Sequence, residues 1–488
     1  EVTVSFAGQE QKAAANKHGR WQVKLSPLAA NTTAQAMIIT NAAGEKVIYN
    51  DILIGDVWVC SGQSNMEWSV KRSYNAQQEI AKANHPLIRI FDVKGHTIAN
   101  GPQEQLSLPT SWQTCNPKSV TAFSAVGYYF GRDLQQQSGV PIGLLGTNWG
   151  GTRVEPWTPP VGFRKQPELA AVSKGIDAQL INSPTGKGTW ANYAKQAIQW
   201  SAAVQQAVAD GRNAPSAPTS PGPKNHNEPC SIYNAMVHPI VGYGVRGAIW
   251  YQGEANSAYN PHKYERNFRA MISSWRTHWG QGDFPFYFAQ LANYAKPAPG
   301  TIGFDGWPTV GDQQRRTLGL KNTGMAVLHD IGEARDVHPH NKMDVGKRLA
   351  LWALSHDYNK KILAYSGPLY KSHEIKGDQV TIKFDHVGSG LMSGEKPVME
   401  ATRETGEPLK QFQICGADRK WKTARAEITG KDTVTVSHPE LREPVVVSYA
   451  WAPNPAGANL YNKEGLPASI FTTEAKLPAK PLTKRASK

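Results

Sequence analysis

Six short apolar segments limit the fold of this 488-residue chain more than any other feature of its sequence. The segments are separated by longer stretches in which apolar residues recur at helical spacing. The six segments are VWVC (57–60), IRIFDV (88–93), IGLLGT (142–147), GAIWYQ (247–252), FYFAQL (286–291) and MAVLHD (325–330). Short continuous apolar runs are typical of strands that are buried on both faces of a parallel sheet. Their alternation with helices predicts an α/β fold with a doubly wound parallel sheet, in which helices cover both faces.

The clearest helical pattern covers residues 261–279, where large apolar residues recur on one face of a helix. Pro261 fits the first helical position and Gly280 fits the end of the helix. Similar patterns at 189–211 and from about Asn341 onward predict two further helices.

The pattern of apolar and polar residues changes along the chain and divides it into four parts. Residues 1–50 alternate β-forming residues with polar turns, which predicts part of an N-terminal β-sandwich whose start is processed or trimmed. Residues 51–364 form the α/β domain, with a helical and proline-rich insertion at about 155–230. Residues 365–475 return to the β pattern and predict a C-terminal β-sandwich. Residues 476–488 form a basic tail.

Charge and hydropathy bear on whether the chain binds nucleic acid or spans a membrane. The net charge is +14, and the last fourteen residues carry five of these charges without any acidic residue. We interpret this tail as a frayed end, with an anchor for nucleic acid or membrane as the alternative. No run of eighteen apolar residues occurs, so the sequence predicts no membrane span.

The four cysteines are spaced too irregularly for a zinc site, because no C-x-x-C pair occurs. Cys60 ends an apolar segment and is predicted to be a buried thiol. Cys115 and Cys230 lie in loop-like sequence, where a disulfide between them is one open alternative.

Polar residues crowd the positions that follow four of the predicted strands. These stretches are SGQSNMEW (61–68), NWGGTRVEPW (148–157), GEANSAY (253–259) and IGEARDVHPHNK (331–342). The carboxyl ends of parallel strands meet at one edge of a sheet, and ligands bind in the crevice beyond that edge. The sequence therefore predicts one functional site built from all four stretches.

Ser64 and His338 are the candidate nucleophile and base. A strand followed by G-x-S lifts a serine hydroxyl above the sheet edge, although a serine that only caps a helix gives the same pattern. Serine becomes a strong nucleophile when an imidazole takes its proton, and Asp336 in the same loop can orient the ring of His338. His340 and Asp330 are rivals for the roles of base and acid.

Other residues at this edge carry hydrogen-bond donors that suit a developing oxyanion. Gly150 and Gly151 expose bare backbone N–H groups, with an ordinary tight turn as the alternative. Gln252 and Asn256 carry neutral amides, with satisfied core amides as the alternative. The His338, His340 and Asp336 side chains resemble a metal-ligand cluster, but they lack a further ligand and the sequence predicts no metal. Glu254 and Arg153 are expected to pair.

The segments GDVWVCSGQSNMEW, WGGTRVEPW, IWYQGEAN and DVHPHNK closely resemble the sialate O-acetylesterase family of SGNH (GDSL-type) hydrolases. The resemblance extends to YAWAPNPAGANLYNKEGLPASIF near the C-terminus. It implies an SGNH hydrolase fold of three α/β/α layers flanked by β-sandwich domains. It also implies a secreted or periplasmic serine esterase that needs no cofactor and acts on O-acetylated sugars.

The resemblance assigns roles to residues of this sequence. Ser64 is the implied nucleophile, His338 the base and Asp336 the orienting acid. The implied oxyanion hole contains the Ser64 N–H, a glycine N–H and a side-chain amide; its candidates are Gly150, Gly151, Gln252 and Asn256. The expected substrate-binding residues are Gln63, Asn65, Arg153 and Glu254. Two departures stand out, because only one residue separates Asp336 from His338 and the usual G-x-N-D motif is absent.

Three functional hypotheses follow. The first is a sialate O-acetylesterase, and the second is an esterase of the same family for acetylated xylan or other hemicellulose. The insertion, with Trp157, Trp190 and Trp200, is expected to influence that choice. The third is a catalytically inert carbohydrate-binding protein. We expect neither nucleic acid nor membrane as a partner, and the sequence does not determine the oligomeric state.

Overall fold

The computed structural model describes residues 1–297 and 306–475. The predicted basic tail, residues 476–488, lies outside these ranges. Residues 1–54 contain one antiparallel sheet with the strand order β2-β1-β3-β4. Its strands are β1 (Val2–Phe6), β2 (Gln9–Ala13), β3 (Asn31–Asn41) and β4 (Lys46–Ile54). Alternating β-forming and polar residues produce this sheet, whose last strand is largely exposed.

The central sheet has seven strands within the described ranges, in the order β11-β10-β9-β5-β8-β6-β7. They are β5 (Asp56–Gly62), β6 (His85–Asp92), β7 (Gln113–Cys115), β8 (Ile142–Asn148), β9 (Gly247–Tyr251), β10 (Phe286–Ala289) and β11 (Thr323–Ala326). Each of the six apolar segments contains or overlaps one of the strands. The prediction of a wholly parallel sheet is wrong at one edge, where β7 pairs antiparallel with β6 and makes the sheet mixed.

Helices alternate with these strands and lie on both sides of the sheet. They are α1 (Ser64–Glu67), α2 (Ala76–Lys82), α3 (Pro117–Val120), α4 (Ala125–Ser138), α5 (Pro160–Arg164), α6 (Ala170–Gln179), α7 (Pro184–Ala209), α8 (Glu254–Ser257), α9 (Tyr264–Trp279), α10 (Gly306–Thr317) and α11 (Lys342–His356). Helix α9 ends at Gly280, as predicted, because this glycine adopts the left-handed conformation with φ 66°. Helices α5 to α7 belong to the predicted insertion.

Two separate apolar cores cover the two faces of the central sheet. Trp58 of β5 packs in one core with residues of α4 and α11. Its neighbour Val59 points to the opposite face and packs in the other core with residues of α9. Successive side chains of a strand point to opposite faces, so a strand that is apolar throughout needs a helical layer on each side. This part of the chain therefore has three layers, α/β/α.

The C-terminal part is built from antiparallel sheets with the strand orders β12-β13-β19-β18, β15-β14-β21 and β17-β16-β20-β22. The strands are β12 (Leu369–Lys376), β13 (Gln379–Asp385), β14 (Leu391–Glu395), β15 (Arg403–Glu404), β16 (Phe412–Cys415), β17 (Lys422–Thr423), β18 (Arg425–Ile428), β19 (Thr433–Ser437), β20 (Val446–Tyr449), β21 (Leu460–Asn462) and β22 (Phe471–Thr472). Ile382 of β13 and Ile414 of β16 share one buried core, so two of these sheets pack face to face.

The four cysteines are buried free thiols, so Cys115 and Cys230 do not form the disulfide that was one alternative. Among the helices in residues 1–297 and 306–475, none is long and apolar enough to cross a bilayer. In the same part of the chain, no group of three or more His, Cys, Asp or Glu side chains is arranged to hold a metal ion.

Candidate active site

The turn after β5 places Ser64 at the carboxyl edge of the central sheet. Gly62 has φ 143°, and a Cβ atom at this position would lie 2.1 Å from the carbonyl oxygen of Tyr251 in the neighbouring strand. Only glycine fits this close approach. The N–H of Gln63 then donates to the same Tyr251 oxygen at 2.9 Å, and Ser64 begins helix α1. The Ser64 N–H has no partner within the helix, because it belongs to the first turn.

Ser64, His338 and Asp336 form a hydrogen-bonded row, although 274 residues separate the serine from the histidine. Nε2 of His338 lies 2.9 Å from Oγ of Ser64. Nδ1 of His338 lies 3.2 Å from Oδ1 of Asp336, and the same carboxylate oxygen accepts the His338 backbone N–H at 2.8 Å. The imidazole also stacks on Trp68, with ring centroids 4.9 Å apart. Both nitrogens and one face of the ring are thus held, which aims Nε2 at the serine.

The charges around this row favour a neutral imidazole and an ionised carboxylate. Burial lowers the pKa of His338, the Lys342 ammonium lowers it further, and the Asp336 carboxylate opposes both. Burial raises the pKa of Asp336, but the backbone N–H and the imidazole of His338 outweigh it, and the pKa lies below its usual value. A neutral imidazole can accept a proton from Ser64 at neutral pH.

The two rival residues have other partners. Asp330 forms a buried bidentate pair with Arg348, at 2.6 and 2.8 Å. Nδ1 of His340 lies 2.9 Å from the Glu333 carboxylate, and its ring is nearly perpendicular to that of Trp68, with centroids 5.5 Å apart. Asp336 is therefore the carboxylate that reaches His338, and Asp330 serves the packing of α11 against the sheet.

Among the predicted oxyanion donors, Gly150 lies near Ser64. A Cβ at Gly150 would stand 3.2 Å from the Ser64 Cβ. In this structure, however, the Gly150 N–H donates to the Glu67 carboxylate at 2.6 Å. Gly151 is exposed, and its carbonyl accepts from the Asn227 amide at 3.2 Å. Gly150 therefore becomes available to an oxyanion only when the Glu67 side chain moves away.

Gln252 and Asn256, the predicted side-chain donors to an oxyanion, have other partners in this structure. Both side chains are buried, at 0% and 1% exposure. The Gln252 amide donates to Asn256 at 2.8 Å and to the Thr152 carbonyl at 3.1 Å. The Asn256 amide donates to Glu155 at 3.2 Å. These groups are core amides whose donors are already used, which was the alternative interpretation.

The predicted substrate-binding residues are also turned away from the opening. Gln63, Asn65 and Glu254 are 3%, 1% and 9% exposed. The Gln63 side-chain oxygen accepts the backbone N–H groups of Gly253 and Ala255, and the Asn65 amide donates to Glu254. The expected pair of Glu254 with Arg153 is not formed, because the guanidinium lies 3.7 Å over the Tyr259 ring. Gln63, Asn65 and Glu254 support the site from within the core, and none of the four residues lines the cavity beside Ser64.

Ser64 and His338 open onto a cavity of about 530 Å³. Glu67, Trp68 and Asn148 of its lining belong to the predicted stretches 61–68 and 148–157, although none was singled out. Sequence reasoning missed the lining residues outside the four stretches, among them Lys71, Arg72, Lys94 and His96. Lys94 and His96 follow β6, so the rule that ligands bind beyond the carboxyl ends of strands would have found them. His96 lies 3.4 Å from the Glu67 carboxylate and stacks on Trp149 at 4.7 Å.

The sequence profile of a family described as "Carbohydrate esterase, sialic acid-specific acetylesterase" matches residues 54–174 and 223–355, just over half of the chain. The chain is 30% identical to the sialate O-acetylesterase of Rattus norvegicus, over 95% of its own length and 84% of that relative. For the sialate O-acetylesterase of Mus musculus, the identity is 29% over 90% and 79%.

The fold is similar to the crystal structure of a carbohydrate acetylesterase from Xanthomonas citri. The TM-score is 0.77 with 32% sequence identity, and the match covers 97% of this chain and 93% of that one. The resemblance stated from the sequence motifs is thereby confirmed. The chain belongs to the carbohydrate esterase family of sialic acid-specific acetylesterases, and it is a carboxylic ester hydrolase.

Proposed function

We propose that this chain removes O-acetyl groups from sugars through an acetyl-serine intermediate on Ser64. The observation that carries the proposal is the 2.9 Å distance between Nε2 of His338 and Oγ of Ser64, at the wall of an open cavity. A serine beside a neutral, oriented imidazole is an activated nucleophile. Asp336 completes the arrangement, although its position two residues before the histidine is unusual for the SGNH pattern.

In the first step, Oγ of Ser64 attacks the acetyl carbonyl carbon while Nε2 of His338 takes the hydroxyl proton. The tetrahedral intermediate then collapses, the bond from the acetyl carbon to the sugar oxygen breaks, and His338 gives its proton to that oxygen. In the second step, His338 takes a proton from water as the water attacks the acetyl-serine. The bond from the acetyl carbon to Oγ of Ser64 then breaks, His338 returns its proton to Oγ, and the acetic acid that leaves ionises to acetate. Asp336 stabilises the imidazolium in both steps.

The negative oxygen of each intermediate needs donors close to Ser64. We assign the Ser64 N–H and, after displacement of Glu67, the Gly150 N–H to this role. Asn148 lines the same cavity and supplies the neutral amide that the sequence interpretation sought in Gln252 or Asn256. In comparable sites, each oxyanion donor contributes about 3–4 kcal/mol to transition-state stabilisation.

The charge of the cavity favours an acidic sugar, and we propose an O-acetylated sialic acid as substrate. Lys71, Arg72 and Lys94 line the cavity, against Glu67 and Asp92. Burial raises the pKa of Asp92 to about 6, which leaves this carboxylate mostly ionised at neutral pH, so three cationic side chains stand against two acidic ones. The net charge of these five side chains is positive and suits the carboxylate of a sialic acid. The names of the rodent relatives point to the same class of sugar.

Acetate release from matched panels of O-acetylated sialic acids and acetylated xylo-oligosaccharides tests the proposal. We expect turnover of the sialic acids, a several-fold higher KM for them in Lys94→Met, and no comparable change with a neutral acetylated sugar. Preference for the xylo-oligosaccharides would assign the chain to hemicellulose instead. Ser64→Ala is the control for the chemistry, and activity that survives this change would remove Ser64 from its role.

The inert carbohydrate-binding protein is the competing hypothesis of another class. It predicts sugar binding without acetate release, so the same panel separates the two. A secreted or periplasmic location stays a prediction from the family resemblance.

A further inference from the structure

Lys342 is a lysine whose position is unfavourable for stability alone. It is 0% exposed and is the first residue of helix α11. A buried charge loses its hydration, and a cation at the start of a helix faces the positive end of the helix dipole. The mechanism described above gives this residue no task. A buried cation of this kind next to a reactive centre is a candidate for a functional role.

The contacts of Lys342 connect the two segments that carry the reacting groups. Its ammonium donates to Oδ1 of Asn65, the residue after the nucleophile. The amide nitrogen of Asn65 donates to Glu254 and to the carbonyl oxygen of Val337, the residue before the base, at 2.9 Å. Asn65 therefore bridges the turn that carries Ser64 and the loop that carries His338. Lys342 and Glu254 hold the two ends of its amide in one orientation.

The charged and aromatic groups around Lys342 come from several elements. Its ammonium lies 5.7 Å from the ring centroid of Trp68 and 5.3 Å from that of Tyr251. The carboxylates that act on it are those of Glu254, Glu333 and Asp336, and the Arg72 guanidinium is the like charge. His340, which pairs with Glu333, also acts on Asp336.

Burial lowers the pKa of Lys342 to about 7, with the three carboxylates opposing it. The lysine is therefore mostly protonated below the ordinary imidazole pKa of about 6.5, where His338 gains its proton. In that range its positive charge lowers the pKa of the imidazole, whose ring stacks on Trp68 with centroids 4.9 Å apart. Lys342 therefore acts on His338 in two ways: through the hydrogen bonds of Asn65, which position the His338 loop, and through its positive charge.

We propose that Lys342 is a positioning residue of the esterase: through Asn65 it aligns the Ser64 turn with the His338 loop, and its positive charge opposes protonation of His338. This inference rests on the proposed function. It predicts two separable effects of removing the ammonium, a loss of alignment and a change in the pH at which the base becomes protonated.

The test is the pH profile of kcat and kcat/KM for acetate release by Lys342→Met. The matched control is Lys347→Met, an exposed lysine of the same helix. We expect the kcat of Lys342→Met to fall about ten- to a hundredfold through misalignment, with KM little changed and the acid limb of kcat/KM moved to higher pH. Lys342→Arg keeps the charge and should keep the acid limb of the wild type, as should Lys347→Met.

Asp92 lines the cavity and has a pKa raised to about 6 by burial, so Asp92→Asn is measured in parallel to separate its titration from that of His338. Lys342→Met leaves the buried Glu254 without its cation. The double variant Lys342→Met/Glu254→Gln removes both charges and serves where the single variant does not fold, as judged by circular dichroism. The double variant should show the same move of the acid limb.

A folded variant without the ammonium that keeps the acid limb of the wild type overturns the proposal, even when kcat falls, because a merely structural lysine would give that result. Failure of the proposed function looks different. In that case the wild type releases no acetate, or Ser64→Ala releases it as fast as the wild type.

Discussion

Two aspartates of the same loop region should respond to the same substitution in opposite ways. Asp336→Asn removes the carboxylate beside His338, whereas Asp330→Asn removes the carboxylate that Arg348 holds. Both changes replace one carboxylate oxygen by an amide of nearly equal size. Comparison of the two variants therefore separates the role of the carboxylate charge beside the imidazole from the role of the carboxylate charge in the core.

The structure sets the expected magnitudes. The Asp330 side chain is 2% exposed and that of Arg348 is 7% exposed, and removal of one partner from such a buried pair costs about 3–5 kcal/mol. At a few degrees per kcal/mol, this corresponds to a fall in Tm on the order of 5–10 °C. The Asp336 side chain is 38% exposed, so its loss should barely change Tm. Its loss should lower kcat by roughly 10²–10³-fold, less than the about 10⁴-fold typical of a fully buried triad acid.

The assay combines thermal unfolding followed by circular dichroism with initial rates of acetate release, both on the purified wild type and on the two variants. Rates are taken well below the Tm of each protein, so that unfolding does not lower them. The reasoning is refuted if Asp336→Asn retains the kcat of the wild type. It is equally refuted if Asp330→Asn has the Tm of the wild type and its kcat falls as strongly as that of Asp336→Asn.

Three further outcomes are expected. Because burial lowers the pKa of His338, kcat/KM should hold on the acid side of neutrality and fall only below the ordinary imidazole pKa of about 6.5; a rate that stays level to strongly acid pH would exclude His338 as the base. Gly62→Ala places a Cβ 2.1 Å from the Tyr251 carbonyl oxygen, at a backbone φ of 143°. The substitution should destabilise the fold by about 3 kcal/mol or more, measured as a lower urea midpoint. An unchanged midpoint would contradict the close approach. The four cysteines are buried thiols, so a thiol reagent should label none of them in the native protein and all four after denaturation; rapid labelling of the native protein would show that one of them is accessible.

Local patterns were sufficient to predict six strands of the central sheet and the stretches that follow their carboxyl ends. Each of the six apolar segments corresponds to a strand of the central sheet, since a strand buried on both faces must be apolar at every position. The rule that ligands bind beyond the carboxyl ends of strands then indicated the stretches that contain Ser64, Asp336 and His338. Strand β7 escaped prediction because three residues, QTC, are too few to show any periodicity.

The direction in which each polar side chain points was decided by the tertiary structure alone. Gln252 and Asn256 carry the same amide that an oxyanion needs, but their donors are used by partners in the core. Asn65 reaches Glu254 across 189 residues and Lys342 across 277. Which donors remain free for a substrate depends on such distant partners, and a single sequence does not record how they are paired. The partners of Asp330 and Asp336 were decided in the same way, because Arg348 pairs with Asp330 only after the chain has folded.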